Sequence, residues 1–163
     1  MTSETNSYAT PPVPRLGTVV VSATASDAHT WNLVFLQLFL EELGYSVVNL
    51  GSCVSDERLV RECLRIAPTL IVISSVNGHG CQDGLRLIGR LRSEDRLKDT
   101  PTIIGGKLGI TGTPLGDRVA ELLEGGFDAV FDDGARDGIE FHEFLRTLPE
   151  RQSRLPIEAS LTP

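Results

Sequence analysis

The sequence predicts an α/β domain: a five-stranded parallel sheet with helices on both faces. Three observations carry that prediction. Short runs rich in valine and isoleucine alternate with stretches of helical periodicity, five times over. The first and third runs, TVVVSA (18–23) and LIVISS (70–75), are nearly continuous in apolar residues, as strands covered on both sides require. Strict strand–helix alternation calls for right-handed crossovers that lay helices on either face. The expected architecture is therefore doubly wound and flavodoxin-like, with strand order 2-1-3-4-5.

The other strands are expected at YSVVNL (45–50), PTIIGG (101–106) and DAVFDD (128–133). A first helix over 30–43 stops at Gly44, a residue suited to the left-handed turn that ends helices. It is apolar nearly all round, so it is either central or faces a partner. A second helix starts at Ser55, a good N-cap followed by Asp56 and Glu57, and buries Leu59, Val60, Cys63 and Leu64. The third, over 83–92, sets Leu85, Ile88 and Leu91 on one face. The fourth begins near Pro114 and carries Val119, Leu122 and Leu123. The fifth, over 139–148, buries Ile139, Phe141, Phe144 and Leu145. Residues 1–15 and 149–163 are polar and proline-containing, and are expected to be flexible tails around one domain spanning 16–148.

Bulk properties narrow the function. A chain of 163 residues with 40% hydrophobic and 23% charged residues can bury one good core. Its net charge of −7 argues against nucleic acid or an anionic membrane as partner. No run approaches the ~18 apolar residues of a membrane span, and the N-terminus lacks the pattern of a signal peptide. Three cysteines, Cys53, Cys63 and Cys81, form no CxxC pair, which fits reduced thiols in a cytoplasmic protein. Cys53 and Cys63 are expected to pack against helices.

In open parallel sheets, ligands bind at the carboxyl ends of the strands. The loops there read TASDAHTWN, SSVNGHGCQDG, GGKLGITGTP and DDGARDG. Their small residues allow a large, flat ligand close to the backbone, although tight turns also favour glycine. No Walker A spacing and no GxGxxG is present. Ser74 and Ser75 end the third strand, where a response regulator would need an aspartate. Asp132, Asp133 and Asp137 read as a solvated acidic turn. Of the three histidines, His142 lies mid-helix, whereas His29 and His79 fall on the ligand edge. One histidine cannot hold a transition metal by itself, but it can complete a metal already held in a macrocycle. Asp27, two residues before His29, can orient the imidazole through its other nitrogen.

SDAHTWN resembles the DxHxxG motif of cobalamin-binding domains, in which the histidine takes the place of dimethylbenzimidazole below cobalt. From about residue 17 to 148 the chain is similar to the small subunit of glutamate mutase (methylaspartate mutase). GYSVVNLGSCVSDERLV is similar to that family's second strand and helix, and LIVISSVNGHG to its third strand. Its Ser-Ser-Leu motif is occupied by Ser74, Ser75 and Val76, and its Gly-Gly motif by Gly105 and Gly106 in GGKLG. The resemblance implies adenosylcobalamin as cofactor, with His29 as the lower axial ligand of cobalt and Asp27 as its orienting partner. It also implies that Ser26, Ala28 and Thr30 line the corrin loop and that Ser74, Ser75 and Val76 contact the nucleotide tail. Gly105, Gly106, Lys107, Leu108, Gly109, Ile110 and Thr111 would give the tail room and hydrogen bonds, with Phe131, Asp133 and Gly134 at the fifth-strand turn. Three departures stand out: Asn32 replaces the last glycine of the motif, Val76 replaces the leucine of the serine motif, and Asp133 stands where the family usually has proline.

The family's small subunit docks on a larger TIM-barrel subunit that binds substrate, so the resemblance implies a mutase (isomerase) subunit inactive alone. Two other functions fit the same fold. One is a corrinoid methyl-carrier, which normally has a helical cap before the corrinoid domain. The other is an FMN electron carrier using Ser22–Ser26 around a phosphate. A cofactor-free interaction module is the bland remainder; absorbance separates corrinoid, flavin and none.

Overall fold

Ten elements alternate along the described residues: β1 (Thr18–Ala23), α1 (Trp31–Glu42), β2 (Ser46–Asn49), α2 (Asp56–Ile66), β3 (Leu70–Ser74), α3 (Gly80–Ser93), β4 (Thr102–Gly106), α4 (Leu115–Gly125), β5 (Ala129–Asp132) and α5 (Gly138–Thr147). They come from a computed structural model that describes residues 16–109, 114–132 and 138–148. Both expected tails, and with them Ile110, Thr111, Asp133, Gly134 and Asp137, lie outside the described residues. All strand pairs are parallel and the order is β2-β1-β3-β4-β5, as expected. The chain reverses direction across the sheet between β1 and β3, so their carboxyl-end loops diverge there and leave a crevice.

Side-chain alternation along the strands assigns the helices to faces. Val20, Ile71, Ile73 and Ile104 point to one side, where they pack with Leu59 and Cys63 of α2, Leu87, Ile88 and Leu91 of α3, and Leu122 of α4. Val19, Val21, Val72 and Ile103 point to the other, against Leu33 and Leu40 of α1 and Phe141 and Leu145 of α5. Burial on both faces is what the unbroken apolar runs of β1 and β3 require. No described helix is long and apolar enough to cross a membrane.

Several expectations are corrected. Helix α3 starts at Gly80, three residues before the expected Asp83. Gly80 sits so tightly under the next loop that an added Cβ would lie 2.7 Å from Leu108, and no side chain caps the helix there. Ile88 and Leu91 are buried as expected and Leu87 joins them, whereas Leu85 is only partly covered. Leu123 and Ile139 are exposed, because α4 and α5 cover the sheet near its edge with narrower stripes than their apolar content suggests. Cys53 is an exposed loop residue with φ 50°, whereas Cys63 is buried and its thiol is pushed up to about 12 by that burial.

At the carboxyl edge, Gly106 has φ 112°, and an added Cβ would approach the Ser75 carbonyl oxygen to 2.2 Å. Only glycine lets β4 pass the end of β3 there. Gly106→Ala is expected to lower the unfolding free energy by about 3 kcal/mol in urea titration. Gly89→Ala, at an open position in α3, is expected to raise it by about 0.5–1 kcal/mol.

Candidate functional site

The loop after β1 is built around one buried acid. Asp27 is fully buried. Its Oδ1 accepts the His29 backbone N–H at 2.9 Å and lies 2.7 Å from His29 Nδ1. Its Oδ2 accepts the Val76 N–H at 2.5 Å, from the loop after β3. Burial alone would push this carboxyl upward, but the backbone N–H groups of His29 and Val76, with the imidazole, hold it below the ordinary aspartate value. The acid is therefore ionised at neutral pH and can only accept. Nδ1 must then carry the proton, which leaves Nε2 of a neutral ring with its lone pair. The His29 side chain is 61% exposed, and no described residue bonds to Nε2.

A second network pins the same loop from below. Ser26 Oγ donates to the buried Asp83 of α3. Arg86 bridges Asp83 at 2.9 Å and the buried Asp56 at 2.6 Å, which links the loop to α2 and α3. Asn77 ties the two loops together once more. Its Nδ2 donates to the Ser26 carbonyl oxygen at 3.0 Å and to Ser26 Oγ at 2.9 Å, and its Oδ1 accepts from Ser75 Oγ at 3.2 Å and His79 N at 3.0 Å. Sequence reading singled out none of Asn77, Asp56 or Asp83 for this. The Asn-Gly pair at 77–78 was the available signal, since it marks a tight turn.

Next to His29 the carboxyl edge opens into a cavity of about 360 Å³ between α1 and α5, over the ends of β3, β4 and β5. Asn32, Phe35, Ser74, Gly105, Phe131 and Phe141 help to line it. The walls are apolar, and Phe131 stands edge-on to Phe141 at 5.5 Å. Val76 and Gly106 also reach this cavity. Ala28 and Thr30 are exposed beside His29. Ser75 is fully buried and bonded within the loop, with Thr24 Oγ1 donating to it at 3.4 Å. Lys107 is exposed and Gly109 half-buried, while the Leu108 side chain is buried in the core beneath them. His79 caps α3 and is exposed; Cys81 lies near Glu121 at 3.6 Å, with its thiol pushed up by burial and that acid. Among the described residues no group of three His, Cys, Asp or Glu could hold a metal ion. A metal at His29 would therefore have to arrive already ligated.

Two effects of Asp27 follow. Its lowered proton affinity contributes stability that is complete above the ordinary aspartate value of 3.8 and is lost as the pH falls through the lower folded value. Asp27→Asn is expected to cost about 3 kcal/mol at pH 7, because an amide cannot accept three N–H bonds as a carboxylate does. It should also flatten the acid limb of the stability–pH curve as the pH falls below 3.8, measured by urea unfolding.

Comparisons with known proteins place this geometry. The B12 binding domain model matches residues 17–136. Glutamate mutase sigma subunit 1 of Haloarcula marismortui is 31% identical over 129 residues, covering 79% of this chain and 83% of that protein. Two solved structures resemble the fold at TM-score 0.61 and 20% identity. One is a cobalamin-binding protein from Desulfitobacterium hafniense, matched over 78% of this chain and 58% of that one. The other is the signal receiver domain of a histidine kinase from Syntrophus aciditrophicus, matched over 89% and 99%. At that identity a structural likeness speaks for the fold alone. The sequence matches decide: the chain belongs to the B12-binding domain family and is a relative of the glutamate mutase sigma subunits.

Proposed function

We propose that this chain is the cobalamin-carrying subunit of an adenosylcobalamin-dependent carbon-skeleton mutase of the glutamate-mutase type. The observation that carries the reading is His29: an exposed imidazole whose Nδ1 is locked on a fully buried carboxylate, leaving Nε2 available as a metal ligand. The residues fit the group. His29 would hold cobalt from below, and Asp27 would fix the ring and raise its basicity. The apolar cavity past Ser74 and Gly105 would take the nucleotide tail released from the metal. When bound, the cofactor supplies the radical chemistry, through homolysis of its cobalt–carbon bond.

The rest of the work belongs to the chain itself. Asp27 keeps a proton on Nδ1, so that Nε2 is the ring nitrogen that can offer a lone pair. The Ser26–Asp83–Arg86 network holds the loop at one height above the sheet edge. Substrate binding falls to a larger TIM-barrel partner, without which the isolated chain turns nothing over. Such an assembly is cytoplasmic, in keeping with the unpaired thiols.

Visible spectroscopy tests the reading. Wild-type protein mixed with cobalamin and desalted should retain a spectrum with the dimethylbenzimidazole displaced and an imidazole on cobalt. His29→Ala should lose that signature. A spectrum unchanged by the mutation would move the ligand elsewhere, and no retained corrinoid at millimolar cobalamin would remove the cofactor reading. Trp31, the only tryptophan and two residues from His29, should be quenched by the bound corrin in parallel.

A further inference from the structure

Asn32 stands in the first turn of α1, where the motif's glycine would leave open space. Its Nδ2 donates to Ser74 Oγ at the end of β3, so the side chain reaches from α1 to the sheet. Both residues line the apolar cavity between α1 and α5. Asn32 Oδ1 is buried there without a hydrogen-bond partner. A buried acceptor left unpaired is costly, and nothing in the sheet or helix requires this side chain to cross the gap. The bridge therefore occupies cavity space that a guest needs, engages the Ser74 hydroxyl, and is held by a single hydrogen bond.

We propose that the Asn32–Ser74 bridge is a latch across the tail cavity, and that Asn32 makes this chain discriminate among corrinoids by the tail they carry. This rests on the cobalamin reading above. A corrinoid with a nucleotide tail must lift the Asn32 amide from Ser74 before the tail can enter. One without a tail engages His29 alone and never meets the latch. Opening also frees Oδ1 from its unpaired burial, and the Ser74 hydroxyl becomes available to the incoming base or ribose.

The experiment compares cobalamin with cobinamide, which has the same corrin ring but no nucleotide tail. Binding is followed by visible absorption and by Trp31 quenching. Asn32→Gly is expected to bind cobalamin about tenfold more tightly than wild type, with its affinity for cobinamide unchanged. Asn32→Ala, which keeps good helix propensity at this position, should behave the same way and stands in if the glycine variant folds poorly. Equal effects on the two ligands, or none on either, would overturn the latch while leaving the cobalamin reading intact. If wild type and variants bind neither ligand, the cobalamin reading itself fails and the latch falls with it.

Discussion

The site depends on one buried charge. Asp27 lies at the switch point of the sheet, where the chain leaves β1 in one direction and β3 in the other. An isolated carboxylate there would be strongly destabilising. It is tolerated because two backbone N–H groups and an imidazole N–H converge on it. Those bonds fix the orientation of His29 and tie the β1 loop to Val76 of the β3 loop in the same act. The position of the ligand candidate and the shape of the neighbouring cavity are thus set by the same group and cannot be varied independently.

Around that charge the fold supplies a rigid edge and little else. The same arrangement of sheet and helices serves signal receivers, so the backbone alone does not choose a chemistry. The choice is made by a few side chains at the strand ends. Ser74 and Ser75 put hydroxyls where a phospho-acceptor domain would need an acid. Gly106 lets β4 pass within contact of the Ser75 carbonyl at the end of β3. The Asp56–Arg86–Asp83 bridge stiffens the loop from the opposite face of the sheet. Among the described residues, a ligand meeting this edge finds the Nε2 of an exposed His29 and an apolar slot beside it.

The sheet order, all five helices and the placement of His29 beside Asp27 were legible in the sequence because they follow from period, alternation and local spacing. Gly44 and Ser55 marked their helix ends correctly, since a positive φ and an N-cap hydroxyl are local requirements. What stayed hidden depends on contacts distant in the chain. The start of α3 at Gly80 carries no side-chain cap, and its close neighbour Leu108 comes from a distant loop. The exposure of Leu123 and Ile139 depends on how far each helix overlaps the sheet. The burial of Asp83 and Asp56 depends on Arg86 reaching both, and acids in a first helical turn look solvated until that partner is seen. Asn32 was visible as a departure from a motif, but its bond to Ser74, 42 residues away, was not.

The first helix connects the site to the rest of its proposed function. Leu33 and Leu40 bury one stripe against the sheet, while Trp31, Val34, Phe35 and Leu38 form a second stripe that is open to solvent. Trp31 is 85% exposed and Phe35 65%. Side chains at these spacings share one side of a helix, and an apolar face of this kind suits a protein contact. It starts two residues after His29, so the stripe lies beside the ligand candidate. A partner that covered the helix would also lie close to a cofactor held by His29. Under the cobalamin reading, this arrangement lets the chain deliver a reactive metal centre into a substrate pocket built on its partner, with water excluded by the same contact that brings the two subunits together.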